Sequence, residues 1–209
     1  MEVLSHSLGI IKYNIKLCFG LNYIAAFLFA ASAFFFFDLK YMSMNDVSQI
    51  GELFLSITGI IMLPSIIHIE ESENANEAVF TKRTPYYLTI ALRMLITFAA
   101  LALVLFIIIF YCKINSGSFD LLKVWSGIYI SALYLGIAGI TAVNITKELV
   151  PGYLVSLGYF AFEFFTHGKY TSAFYAFSLV NNDYSPKLRI LAIIIILISI
   201  NLILVKKRS

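Results

Sequence analysis

Residues 190–205 read Ile-Leu-Ala-Ile-Ile-Ile-Ile-Leu-Ile-Ser-Ile-Asn-Leu-Ile-Leu-Val, sixteen uncharged residues between Arg189 and Lys206. A run of this kind fits a short bilayer crossing, which takes roughly 20 apolar residues. Because a charge at mid-bilayer costs several kcal/mol, the spacing between successive charges serves as a ruler for the rest of the chain. Lys16 to Asp38 leaves 21 uncharged residues, Glu52 to Glu70 leaves 17, Arg93 to Lys113 leaves 19 and Lys123 to Lys147 leaves 23. Glu148 to Glu163 leaves 14, opened by Pro151-Gly152 and holding Glu163 near its far end. The gaps predict an all-α polytopic membrane protein, one domain over 1–209, with six transmembrane helices at about 17–37, 50–69, 88–112, 123–146, 150–166 and 188–205.

Composition agrees. The chain of 209 residues is 60% hydrophobic and 13% charged, whereas soluble domains run about 45–50% apolar and about 25% charged. That excludes a cytosolic globular enzyme, a disordered chain and a disulfide-stapled secreted domain. Six crossings consume about 120 residues, which leaves no room for a separate soluble domain. A net charge of +3 without a basic run argues against nucleic acid as a partner. The first apolar stretch continues through Phe34-Phe35-Phe36-Phe37, beyond the h-region of a cleaved signal peptide, so a retained helix is expected.

Lys/Arg counts set the expected orientation. With the N-terminus inside, Lys12, Lys16, Lys82, Arg83, Arg93, Lys147, Lys206, Lys207 and Arg208 fall on the cytoplasmic side. Lys40, Lys113, Lys123, Lys169, Lys187 and Arg189 fall outside. Both termini are then cytoplasmic. Cys18 and Cys112 lie at opposite ends of their spans, roughly 30 Å apart, so no bridge between them is expected.

Outside the spans, Leu4, Leu8, Ile11 and Ile15 recur at helical spacing with Lys12 and Lys16 on another face. This predicts an interfacial amphipathic helix over 1–17 that meets membrane lipid. Residues 70–93 hold the densest charge: Glu70-Glu71-Ser72-Glu73-Asn74-Ala75-Asn76-Glu77 carries four of the twelve acidic residues, followed by Phe80, Lys82, Arg83 and Arg93. Thr84-Pro85 reads as the cap and first residue of the next helix. The segment is either a solvated acidic loop or a docking element. Between Lys169 and Asp183 lie 13 uncharged residues with Phe174, Tyr175, Phe177 and Leu179. They are too few to span and too apolar for water, and a re-entrant or interfacial helical pair is expected. The fourth span is rich in small residues, with Ala132/Gly136 and Ala138/Ala142 at four-residue spacing, a pattern for close helix packing.

Catalytic patterns are scarce. There is no phosphate-cradling Gly-x-x-x-x-Gly-Lys and no zinc spacing. His68-Ile69-Glu70-Glu71 with Glu163 and His167 is similar in composition to the intramembrane CAAX-type proteases. Ala75, however, stands where an arginine belongs, and the expected topology separates His68 from His167. No enzyme is expected. Glu163, flanked by Phe162 and Phe164, is a functional candidate as an ionisable residue in an apolar helix. It either belongs to a transport path, or reaches water or pairs with Lys169 or His167.

The order of elements resembles the membrane subunit of a type-2 ABC exporter: an amphipathic N-terminus, two spans, a charged loop, three spans, a hydrophobic outer segment and a last span. The local likeness runs from Glu70-Glu71-Ser72-Glu73-Asn74-Ala75-Asn76-Glu77 to Arg83-Thr84-Pro85, with Arg93 eight residues after the proline. The resemblance implies that Glu70, Glu71, Glu73, Glu77, Phe80, Lys82 and Arg83 form a coupling element. It would seat in a separate ATP-binding-cassette subunit, with ATP and Mg held there and no cofactor in this chain. It also implies a second permease copy or a related permease, a location in the cell membrane, and export of a cargo whose peptide-like or amphipathic character suits the abundant Phe and Tyr. The alternatives are a non-transporting scaffold or immunity protein, and a secondary transporter, which would need buried ion-binding groups or inverted repeats.

Overall fold

The structure, a computed structural model, describes residues 20–68, 86–115 and 117–207. The expected interfacial helix over 1–17 and the coupling residues Glu70, Glu71, Glu73, Glu77, Phe80, Lys82 and Arg83 lie outside the described residues, as do Cys18, Thr84 and Pro85.

Among the described residues all regular structure is helical: α1 (Leu21–Phe36), α2 (Met44–Ile67), α3 (Tyr86–Ile114), α4 (Leu121–Thr146), α5 (Leu149–Thr166) and α6 (Ser185–Lys206). Five of these, α2 to α6, are long and apolar enough to cross a membrane, while α1 has 16 residues and is shorter. Local chemistry sets the ends. Ser43 and Asp46 form a reciprocal capping box that starts α2. Asp120 caps α4, its Oδ1 accepting from the backbone N–H groups of Leu122 (3.0 Å) and Lys123 (3.2 Å). Lys147 and His167 close α4 and α5 in the left-handed conformation, and Gly168 follows at φ 73°.

The charge ruler fails at buried charges: Arg93, its boundary for the third span, lies seven residues inside α3 with no exposed surface. The second span is expected from about residue 50, yet α2 begins at Met44 and buries Glu52 completely. Lys187 is expected among the outer-loop charges, yet it sits in the first turn of α6 with no exposed surface. The ruler assumes that every charge seeks water; Glu52 and Lys187 meet each other instead. The expected helical pair over 170–182 is also different. It consists of two short 3-10 turns, Ser172–Phe174 and Ser178–Asn181, with Tyr175, Ala176, Phe177 and Leu179 buried.

Helices α2 and α4 form the largely buried centre, and α4 packs against α2, α3, α5 and α6. The small residues of α4 make this possible. A methyl group at Gly59 of α2 would lie 2.1 Å from the Ala132 carbonyl oxygen, and one at Gly136 would lie 2.6 Å from the Gly59 carbonyl oxygen. Only glycine allows backbones this close. Of the two four-residue pairs in α4, Ala132/Gly136 is therefore a packing seam. The outer helices turn apolar side chains outward, including Leu103 and Ile107 on α3, Leu154 on α5 and Ile195 and Ile196 on α6, as a lipid-facing surface requires. Trp125 and Tyr129 tie α4 to α3 by donating to the carbonyls of Ala102 and Phe98, each at 3.1 Å.

At one end of the bundle the connections gather. Tyr41 N–H donates to Asn115 O (2.9 Å), Ser118 N–H donates to Met42 O (3.1 Å), and Asn182 Nδ2 donates to Asn45 Oδ1 (2.7 Å). Toward the opposite end, Asn144 Nδ2 of α4 donates to Asn201 Oδ1 of α6 (2.7 Å), and Asn201 Nδ2 donates to Thr141 Oγ1 (2.9 Å). Asn201→Leu deletes this amide clasp and leaves Asn144 buried without it. The expected loss is about 0.6–2 kcal/mol, measured as a lower thermal midpoint in detergent with the oligomeric profile unchanged.

Candidate functional site: a buried ionic cluster

Helix α2 changes pitch where its charge lies. Residues Gly51–Leu55 form a π-helical turn, a rare local widening that recurs at functional sites. Glu52 sits in this turn with no exposed surface, and Ser56 Oγ donates to its carbonyl oxygen (2.5 Å).

The Lys187 ammonium supplies three donors, and three acceptors meet it: Glu52 Oε1, Ser131 Oγ (2.6 Å) and the Ala176 carbonyl. The second carboxylate oxygen, Glu52 Oε2, accepts the backbone N–H of Val180 (3.1 Å). Ser131 Oγ lies 2.8 Å from Ala176 O, 3.0 Å from Gly127 O and 3.3 Å from Glu52 Oε1. Residues of α2, α4, α6 and the 167–184 segment thus converge on a single ion pair. The pair is satisfied on every side, as a charge removed from water must be.

A second carboxylate stands nearby. Glu163, in the last turn of α5, is fully buried. Its Oε1 accepts from Tyr159 OH (2.6 Å) and its Oε2 from Thr171 Oγ1 (2.9 Å), and Tyr159 OH lies 3.4 Å from Tyr134 OH. It neither reaches water nor pairs with Lys169 or His167, both of which are exposed. The expectation that it does either is corrected; two hydroxyl donors hold it inside. Tyr175 lies between the groups. Burial, reinforced by the Glu52 and Glu163 carboxylates, pushes its phenol up to about 12, so its proton stays on at neutral pH.

Chemically the arrangement ties three helices and the 167–184 segment to one ion pair. Among the described residues no group of three or more His, Cys, Asp or Glu is placed to hold a metal ion. The cluster has one carboxylate–ammonium pair, Glu52 with Lys187, while the Glu163 carboxylate is held separately by the hydroxyls of Tyr159 and Thr171. No family model, no curated protein and no solved structure matches the chain.

The sequence reading named Glu163 and missed Glu52, Lys187 and Ser131. Two signals pointed to them. Ser43-Met44-Asn45-Asp46 is a capping box, which starts the helix early and places Glu52 two turns inside. Ser185-Pro186 opens a helix at Lys187's own turn.

Proposed function

We propose that this chain is the membrane subunit of an ATP-driven exporter. It would form the substrate path and take its work from a separate ATP-binding-cassette subunit bound at Glu70, Glu71, Glu73, Glu77, Phe80, Lys82 and Arg83. The observation that carries the reading is the course of α2. The first half of this helix holds Glu52 in the buried cluster, and its last residues precede in sequence the charge-dense stretch that begins at Glu70. A push on that segment acts on the cluster through one element. In this reading α1 makes the sixth crossing, and both termini are cytoplasmic. The 167–184 segment closes the outer end, and Glu163 borders the path beneath it. A second copy or a related permease supplies the other wall, and the cargo is peptide-like or amphipathic.

Charge reversal tests the coupling. Protein carrying E73K/E77K, extracted from its native membrane in mild detergent, is expected to lose the ATPase subunit that co-purifies with the unaltered chain. If the unaltered chain brings down no ATPase, or the reversed one keeps it, the exporter reading fails. The non-transporting scaffold or immunity protein then takes its place.

A further inference from the structure

The segment 167–184 is held in the bundle by a short run of buried side chains and by polar ties, among them Thr171 to Glu163 and Asn182 to Asn45. Its regular structure amounts to two 3-10 turns, and it buries Tyr175, Ala176, Phe177 and Leu179 while Tyr170 and Phe174 stay largely exposed. Left-handed residues bracket it, His167 and Gly168 at one end and Asn182 at the other, at φ 49°, 73° and 58°. Its central backbone is tied to charges: Ala176 O to Lys187 and Val180 N–H to Glu52.

A buried ion pair is a poor device for global stability, because a fold in which an apolar pair of similar volume replaces it is as stable or more so, although that pair cannot tie the Ala176 carbonyl and the Val180 N–H as the charges do. It is a good device for holding two elements in one arrangement that comes apart when either charge moves. Glu52 is placed to move. It lies in a π turn, which carries one residue more than an α turn would. Shifting that extra residue past Glu52 turns its side chain by about 100° around the axis of α2, since an α-helix has about 3.6 residues per turn.

We infer that the Glu52–Lys187 pair is a latch on the 167–184 segment, and that a π-to-α register shift in α2 releases it. Closed, the latch seats Ala176 and Phe177 between the helices. Open, the segment swings on its left-handed ends and uncovers the centre of the bundle. The latch is a property of the bundle alone. Within the exporter reading, on which this last step rests, its release opens the path outward.

The test is the reactivity of a cysteine at the latched position, in protein reconstituted in nanodiscs so that both faces meet water. Ala176→Cys is the reporter, with Cys18 and Cys112 replaced by alanine. A water-soluble maleimide is expected to label it slowly in the otherwise unaltered protein. Labelling is expected to be about tenfold faster or more with Lys187→Met, which corresponds to losing about 1.4 kcal/mol of closure. The E52L/K187M double variant leaves no charge stranded and separates release from misfolding; it is expected to label as fast as the single variant. Native Cys112, buried in α3, reports general loosening when Cys18 alone is replaced, and its rate is expected to stay unchanged. Fast labelling of the latched reporter before any change at the pair, no acceleration in the double variant, or equal acceleration at Cys112 would each overturn the latch. None of these readouts involves an ATPase, so failure of the co-purification test leaves the latch standing, and the reverse also holds.

Discussion

Glu52→Ala alone is expected to be the most damaging change to the charged cluster, costing about 3–5 kcal/mol. E52L/K187M is expected to regain most of that loss. Removing only the carboxylate leaves the Lys187 ammonium with no exposed surface and no counter-charge, facing Ser131 Oγ and the Ala176 carbonyl alone. It also strips Val180 N–H of its acceptor. Removing both charges takes away the desolvation penalty together with the attraction, and two long apolar side chains refill the space. A double-mutant cycle of thermal midpoints in detergent measures this, with Glu52→Leu and Lys187→Met as the single changes and E52L/K187M as the double. The losses are expected to be strongly non-additive, the double variant lying well above the sum of its parts. Additive losses would mean that each side chain acts through packing and that the ion pair contributes nothing as a pair.

Much of the bundle can be read from the chain because most charges do sit at the water boundary. Lys123 and Lys147 bracket α4 within two residues of its ends, and Arg189 and Lys206 bracket most of α6. Small residues in α4 pointed to a packed helix, and Ala132 and Gly136 are where α2 meets it. The reading fails where two opposite charges come together from distant parts of the sequence. Glu52 and Lys187 are 135 residues apart, and no local pattern says that they meet. Taken singly, each looks like a loop residue, and the helix ends were placed wrongly for that reason. Glu163 was found because it stands alone between Phe162 and Phe164. Its partners Tyr159 and Thr171 are a turn or two away, but whether they or water would meet it depends on how the 167–184 segment folds back. That folding depends in turn on the ion pair that stayed hidden.

Two glycines at the α2–α4 contact and one on the exposed side of α5 supply a graded series in which a single methyl group is expected to give results of different sign and size. At Gly59 the added carbon would lie 2.1 Å from the Ala132 carbonyl oxygen and 2.7 Å from its carbon. These are backbone atoms of the central helix, and no rotamer change moves them aside. The two helices must separate, and they are the ones on which the rest of the bundle packs. Gly59→Ala is therefore expected to cost at least the about 1–3 kcal/mol typical of overpacking. Loss of the monodisperse species and reduced membrane yield are the expected results. At Gly51 the methyl would lie 2.0 Å from Ile128 Cδ1 and 2.5 Å from its Cγ1, side-chain atoms that can shift further than backbone can, so the loss is smaller than at Gly59. At Gly158, on the exposed side of α5, nothing lies within 4 Å. There alanine is expected to stabilise by about 0.5–1 kcal/mol, because glycine gives up more backbone freedom in a helix. Thermal midpoints in detergent should therefore rank Gly158→Ala above the unaltered protein, Gly51→Ala below it and Gly59→Ala lowest. A Gly59→Ala protein as stable as Gly158→Ala would mean that α2 and α4 do not approach at Gly59. Glu52 and Ser131, on the same two helices, would then lose the framework that brings them to Lys187.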